Sequence, residues 1–329
     1  MKAVLKQISK LELHCHLDGS VSVDYLKTQS EKQQVRIDID KVTVDQNCQS
    51  LAEYLQSFDE ILKVMQTQES LIEAVIDVAR QAHEDGVKYI EVRFAPAFHQ
   101  SLGLETIEIL DAVCEGAQQA EAQFDLDVRL LVCGMKHHSM ATNQAIFDHL
   151  GANASITKYI VGVDLAGDEA SSPTEAHEAL IQYAKSKNLN ITLHAGECGC
   201  VKNVYDAIQY GARRIGHGVA IFQDEQALSW VKEHDVLLEF CPNSNLQTKA
   251  IDTLATLDLP KLMEQEVAFL INTDNRTVTQ TTLMDEYALL LEHRLLNMAD
   301  IQKINYDAID YSFACQETKD KLKRYFEEN

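Results

Sequence analysis

The chain has 329 residues, 46% of them hydrophobic and 24% charged, with four prolines and thirteen glycines. This globular composition excludes a collagen, a disordered tail and a coiled-coil rod. With 29 basic and 51 acidic residues, the formal net charge is −22, which repels nucleic-acid phosphates and anionic lipid. We therefore expect neither nucleic-acid nor membrane binding, whereas a neutral small molecule is compatible with this charge.

No apolar run approaches the ~18 residues that a membrane-spanning helix needs. The first residues also lack the apolar core and small-residue cleavage site of a secretory signal. Eight cysteines are scattered along the chain, and only Cys198 and Cys200 are close in sequence. Their CxC spacing differs from the CxxC of redox and zinc motifs, so we expect free thiols in a reducing cytoplasm. The oligomeric state is not indicated by the sequence.

Eight short apolar runs predict strands, and segments with helical periodicity separate them. The runs are residues 11–16, 89–94, 128–133, 160–164, 190–195, 213–216, 236–241 and 267–272. An apolar stripe over residues 71–79 predicts a helix that ends near Gly86, and Ser172-Pro173-Thr174-Glu175 predicts a capped helix start. This alternation predicts an α/β fold, specifically a (β/α)8 TIM barrel, as one domain over residues 1–329.

Polar residues collect at the carboxyl ends of these runs, where the active site of such a barrel lies. They are His16, Arg93, Asp164, His194, His217, Cys241 and Asp274. A doubly wound open sheet would also alternate strands with helices, but it usually has a glycine-rich first turn. Here the first turn is Leu17-Asp18-Gly19-Ser20, which favours the barrel.

The segment between the first two strands, about residues 21–70, is longer than a normal crossover. Within it Leu51, Tyr54, Leu55 and Phe58 form a helical apolar stripe. Such a stripe is typical of a helix packed on the barrel. It also fits a helical lid over the barrel mouth, because long insertions at this end usually serve function.

His14 and His16 lie two residues apart on the first strand, so their side chains point to the same face. Two imidazoles on one face are suited to zinc, although a hydrogen-bonded pair of buried histidines shows the same spacing. Three further clusters follow later strands: His194 with Glu197, His217 between two glycines, and Asp274 directly after the last strand. Each cluster has an ordinary explanation as a loop or cap residue.

The four clusters meet at one mouth only if the barrel forms. Two histidines from the first strand, His194 and Asp274 would then make a zinc site with an open position for water. Glu197 and His217 would remain as the acid and base that hydrolysis needs.

Six segments resemble the adenosine deaminase family of the metal-dependent amidohydrolase superfamily, in the family's order along nearly the whole chain. They are residues 14–20 (HCHLDGS), 164–169 (DLAGDE), 194–197 (HAGE), 214–218 (RIGHG), 241–245 (CPNSN) and 272–274 (NTD). The resemblance implies hydrolytic conversion of adenosine, and of 2′-deoxyadenosine, to inosine and ammonia in purine metabolism.

The resemblance also implies roles for individual residues. One Zn²⁺ per chain would be held by His14, His16, His194 and Asp274. Glu197 would protonate the purine ring, and His217 and Asp274 would act on the attacking water. Asp18 is expected to bind the ribose 5′-hydroxyl and the Gly167 amide a ring nitrogen, and the lid residues would cover the base.

One position departs from the family, because Asn275 stands where a second Asp is usual. A carboxamide donates to purine N7 directly, whereas a carboxylate must first be protonated. The alternatives are a deaminase of adenine, N6-methyl-AMP or aminodeoxyfutalosine, a binuclear amidohydrolase, or an inactive binding barrel. The acidic charge and Asp18 favour a nucleoside, although Arg276 could reach a phosphate. Binuclear relatives bridge two metals with a carboxylated Lys or an acid at a middle strand, and no Lys stands at the end of the fourth strand, residues 162–165.

Overall fold

The predicted strands are all present in the computed structural model, which describes residues 2–45, 47–48 and 50–328. Their bounds agree with the predicted runs to within two residues. Within the described residues the eight strands are β1 (Lys10–His16), β2 (Val87–Phe94), β3 (Asp127–Met135), β4 (Ile160–Ala166), β5 (Thr192–Ala195), β6 (Arg214–His217), β7 (Leu237–Phe240) and β8 (Phe269–Ile271).

The strands close into a ring. Parallel ladders join β1 to β4 in sequence order and β5 to β8 in the same way. Single parallel bridges join the two halves, Val163 with Ile191 between β4 and β5, and Cys15 with Asp274 between β1 and the end of β8. The predicted (β/α)8 barrel is therefore confirmed, and every strand has its carboxyl end at the same mouth.

The ring is surrounded by helices, two of which, over residues 51–55 and 58–62, lie at its mouth. The helices are α1 (Lys2–Leu5), α2 (Leu17–Ser20), α3 (Val23–Gln33), α4 (Leu51–Leu55), α5 (Phe58–Leu62), α6 (Gln68–Glu84), α7 (Thr106–Gln123), α8 (Met140–Phe147), α9 (Ala154–Tyr159), α10 (Glu178–Ser186), α11 (Val201–Tyr210), α12 (Glu225–Glu233), α13 (Pro242–Gln247), α14 (Leu259–Glu264), α15 (Leu283–Glu292), α16 (Met298–Tyr311) and α17 (Gln316–Glu328). In the described part of the chain, no helix is long and apolar enough to cross a bilayer.

The helix predicted from the stripe at residues 71–79 is α6. Four of its predicted apolar positions, Leu71, Val75, Val78 and Ala79, are buried, and Ile72 and Ile76 are partly buried. Gly86 follows its last turn with φ +81°, as predicted for a left-handed residue there. The predicted capping box at residue 172 is wrong. Ser172 donates its hydroxyl to the Lys136 carbonyl oxygen instead of capping, and a 3-10 turn (Thr174–His177) precedes α10.

The apolar stripe between β1 and β2 does not form one continuous helix. Leu51 and Tyr54 lie on α4, and Phe58 begins the separate one-turn helix α5. Tyr54 is 2% exposed and its hydroxyl lies 2.6 Å from Thr279 Oγ1, beyond β8, whereas Leu55 is 40% exposed. This hydrogen bond joins α4 to the mouth of the barrel.

Candidate metal and active site

The predicted metal ligands converge at the carboxyl end of the barrel. His14 Nε2 lies 3.3 Å from Asp274 Oδ1, and His16 Nε2 lies 3.4 Å from the same oxygen. His16 Nε2 is also 3.2 Å from His194 Nε2. The alternation of β1 places both of its histidines on this face, and Asp274 enters through the bridge that closes the ring.

His217 joins this cluster as well. His14, His194, His217 and Asp274 each offer a ligand atom within 4.8 Å of the others, so this group contains His217 and not the predicted His16. His16 lies at its edge, with Nε2 3.4 Å from Asp274 Oδ1. His217 and Asp274 both have positive φ, at 61° and 62°, which is uncommon outside glycine. Such strain is concentrated at functional sites because the surrounding structure must hold it.

The donor set fits a cation. His14 Nε2 is buried and has no hydrogen-bond partner among the described residues, although it faces the carboxylate of Asp274. Burial lowers the pKa of His16 well below its usual range, which leaves a neutral imidazole whose lone pair is available. Imidazole nitrogens with one carboxylate oxygen are ligands that zinc accepts.

Two buried carboxylates lie beside the Nδ1 atoms of His14 and His194. His14 Nδ1 is 2.9 Å from Glu239 Oε2, and His194 Nδ1 is 2.9 Å from Asp164 Oδ2. Arg93 connects them, donating from NH1 to Asp164 and from NH2 to Glu239, both at 2.7 Å. Partners of this kind orient metal-binding imidazoles and raise their basicity.

Glu197 and His217 lie beside the metal cluster at the same mouth. Glu197 Oε2 is 3.8 Å from His217 Nε2. Asn245 Nδ2 lies 3.0 Å from His217 Nδ1, a contact that orients the ring and leaves Nε2 on the side of Glu197. Ser244 donates to Asp274 Oδ2 at 2.6 Å, which orients that carboxylate.

A cavity of about 470 Å³ opens above these residues, within the usual size range of small-molecule sites. All the predicted substrate residues line it, together with others that the sequence did not indicate. The predicted set is His16, Asp18, Leu51, Tyr54, Leu55, Phe58, Gly167 and Asn275, and the additional residues include Phe98, Met135 and His137.

Several polar side chains in the cavity wall have spare hydrogen-bonding capacity, among them Asp18 and Asn275. Asp18 is 3% exposed, and its Oδ1 has no partner among the described residues. Burial raises the pKa of Asp18 to about 7. Asn275 Oδ1 is likewise buried without a partner in the described chain. Buried polar atoms are rarely left unpaired, so both positions can bond a ligand.

The charge of the cavity is acidic. Among the described residues that line it there is no Lys or Arg, whereas five are acidic: Asp18, Asp59, Asp168, Glu197 and Asp274. The interpretation that Arg276 could reach a phosphate is wrong. Its guanidinium is buried, pairing with Glu12 and, at 2.6 Å, with Asp85.

Sequence reasoning did not assign roles to several residues that support the site. Arg93 appeared only as a polar strand end, Asp164 only as a strand end and as the first residue of the segment 164–169, and Glu239 was not singled out. A charged residue inside the apolar run Leu237-Leu238-Glu239-Phe240 is a usable signal, because a buried charge requires a partner. Its partner lies 146 residues away, which spacing alone does not reveal.

Comparisons with known proteins agree with this geometry. The sequence model of the family described as adenosine deaminase matches residues 9–328. An adenosine deaminase from Enterococcus faecalis is 41% identical over 326 residues, which cover 97% of this chain and 96% of that protein. One from Lactococcus lactis subsp. lactis is 39% identical, over 98% and 94% of the two chains.

Solved structures share the fold over nearly the full length. The N6-mAMP deaminase of Arabidopsis superimposes with a TM-score of 0.89 at 25% identity, covering 99% of this chain and all of that one. An amidohydrolase from Burkholderia ambifaria with bound Zn has a TM-score of 0.89 at 20% identity, covering 99% and 92%. This second likeness, at 20% identity, shows the fold.

Proposed function

This chain belongs to the adenosine deaminase family, and we propose that it hydrolyses adenosine, and 2′-deoxyadenosine, to the corresponding inosine and ammonia. The observation that carries the proposal is the convergence of His14, His16, His194 and Asp274 beside Glu197 and His217 in one cavity. Family membership supplies the reaction class, and the cavity supplies the groups that this reaction needs.

The four converging side chains would hold a single Zn²⁺, in agreement with their donor types and with the unpaired His14 Nε2. A zinc ion bound there would lower the pKa of a water molecule from 15.7 to about 7, supplying hydroxide at neutral pH. Glu239 and Asp164 orient two of the imidazoles from behind.

The remaining steps are proton transfers and orientation by the chain's own groups. Glu197, in its protonated form, gives its proton to purine N1, so no ring anion develops as water adds to C6. Asp274 takes a proton from that water, and His217 orients the oxygen through Nε2–H. The leaving nitrogen takes the proton held by Asp274 and departs as ammonia, while the hydroxyl on C6 gives its proton to Glu197, which leaves the 6-oxo purine and restores both carboxyl groups.

The cavity fits a neutral nucleoside better than a nucleotide. Its charged lining is acidic, and the guanidinium of Arg276 is held in buried ion pairs with Glu12 and Asp85. We propose that Asp18 holds the ribose 5′-hydroxyl, that the Gly167 amide bonds purine N3, and that Asn275 donates to N7. Leu51, Tyr54, Leu55 and Phe58 cover the base.

We further propose that residues 1–329 form one domain with residues 21–70 as its helical lid. A cytoplasmic location is supported by the cysteines, all eight of which are free thiols in the described part of the chain.

A direct assay tests the proposal. Purified protein is given adenosine, adenine and AMP separately, with and without a metal chelator, and ammonia release is measured. We expect turnover of adenosine that the chelator removes and zinc restores. Higher kcat/KM on adenine or AMP would contradict the nucleoside assignment, and chelator-resistant activity would contradict the metal site.

A further inference from the structure

A buried carboxylate fixes the turn that carries Glu197. Glu169, which follows β4, accepts the backbone N–H of Gly196 at 2.5 Å, of Glu197 at 2.9 Å and of Cys198 at 3.1 Å. Its side chain is 2% exposed and does not line the substrate cavity. Three successive N–H groups directed at one anion hold three peptide planes in fixed orientations.

The opposite side of the same turn is fixed by close packing. Gly196 has φ +82°, and a Cβ placed there would lie 2.7 Å from Val204 Cγ2. The Gly196 carbonyl oxygen accepts the N–H of Ala220 at 3.1 Å. The turn therefore has little freedom while Glu169 holds its amides.

The negative charge of Glu169 has a buried counterpart. Lys136 is 4% exposed, and its Nζ donates to the His194 carbonyl oxygen at 2.9 Å. Burial lowers the pKa of Lys136, and the carboxylates of Glu169, Asp164 and Glu197 near it act in the opposite direction. Two charged side chains thus bond this backbone segment. Lys136 donates to the carbonyl oxygen of residue 194, and Glu169 accepts the N–H groups of residues 196–198.

We propose that Glu169 is a positioning residue that holds Glu197 in the orientation needed to protonate the purine. This inference rests on the proposed deamination. The carboxylate of Glu197 reaches the cavity from a turn, and turns are less rigid than strands unless they are bonded. Displacement of a reacting group by about 1 Å can reduce turnover by about 100-fold.

Replacement of Glu169 by glutamine tests the inference. The carboxamide has nearly the same shape, but it has one acceptor oxygen, and its NH₂ group would face backbone donors. We expect kcat to fall by about 10- to 100-fold, with KM within about threefold because Glu169 does not line the cavity. Zinc should stay at one per chain, and amide hydrogen exchange at residues 196–198 should accelerate.

Two controls separate positioning from general destabilisation. Glu108→Gln removes a surface carboxylate that accepts one backbone N–H at 2.9 Å, and Ile109→Val loosens a buried position on α7. Both should retain wild-type kcat and exchange at residues 196–198. If Glu169→Gln does not fold, Glu169→Asp, which is one methylene shorter, should show a smaller change of the same kind.

The inference is overturned if Glu169→Gln keeps kcat within twofold of wild type, if its loss of kcat only follows a loss of zinc, or if exchange at residues 196–198 is unchanged. Failure of the proposed function gives a different result, because the wild-type protein would then be inactive on adenosine.

Discussion

Glu239 is expected to control metal affinity without touching the metal. It is fully buried, and its Oε2 lies 2.9 Å from His14 Nδ1 and 2.7 Å from Arg93 NH2. Its Oε1 lies 2.6 Å from Arg214 Nε. Every neighbour named here is a donor, so Glu239→Gln must direct its NH₂ group at another donor and reduce the basicity of His14.

The size of the effect follows from these contacts. Loss of a partner that orients a metal-binding imidazole costs about 10- to 100-fold in metal affinity, or about 1.4–2.7 kcal/mol. Chelator competition with zinc should measure this change in the dissociation constant of Glu239→Gln. The free energy of unfolding should also fall by about 3 kcal/mol, because a buried ion pair is broken.

A matched control lies in the same barrel interior. Glu91 is also fully buried and accepts from Arg214 NH2 at 2.5 Å, from Tyr89 and from the Phe313 amide, but it contacts none of the predicted metal ligands. Glu91→Gln should therefore lower stability and leave zinc affinity unchanged. The reasoning is refuted if Glu239→Gln binds zinc within twofold of wild type, or if Glu91→Gln weakens binding equally.

Three further predictions concern the acid, the substrate and pH. Glu197→Gln should keep one zinc per chain and lose kcat by at least about 100-fold. His194→Ala should instead release the metal. Metal analysis that shows zinc lost from Glu197→Gln would contradict the role of Glu197 as the acid. Asn275→Asp should retain activity but make substrate KM pH-dependent, since only a protonated carboxyl donates to N7; an unchanged pH profile would remove that contact. Burial lowers the pKa of His99 from 6.5 to about 4. Between these two pH values the imidazole is protonated in the unfolded chain and neutral in the folded chain. The free energy of unfolding should therefore fall by about 3 kcal/mol as the pH falls from 6.5 to 4. Urea unfolding of His99→Asn should show a shallower decline over that range, and equal slopes would contradict this prediction.

The strands were predictable because they are short, apolar and separated by helical periodicity. The polar residues at their carboxyl ends were predictable as one site because parallel strands in a closed ring share a mouth. Asp274 illustrates this: its position after an apolar run has an ordinary explanation as a cap, and only the ring places it 3.3 Å from His14.

Features that depend on distant partners were not predictable. Arg276 is next to a cavity residue in sequence, yet its guanidinium turns to Glu12 and Asp85 on other elements. Ser172 has the residue type of a helix cap, but its hydroxyl bonds the Lys136 carbonyl oxygen. In both cases local pattern was overridden by a buried group that required a partner.

The central claim is that four side chains share one divalent cation. A crystal structure of the protein grown with zinc, measured at the zinc absorption edge, tests this most directly. We expect one anomalous peak, about 2.0–2.2 Å from a nitrogen of His14, His16 and His194 and from a carboxylate oxygen of Asp274. The account would be contradicted by an anomalous peak elsewhere, by two metal ions in the cavity, or by crystals that are saturated with zinc but hold no metal at these four side chains.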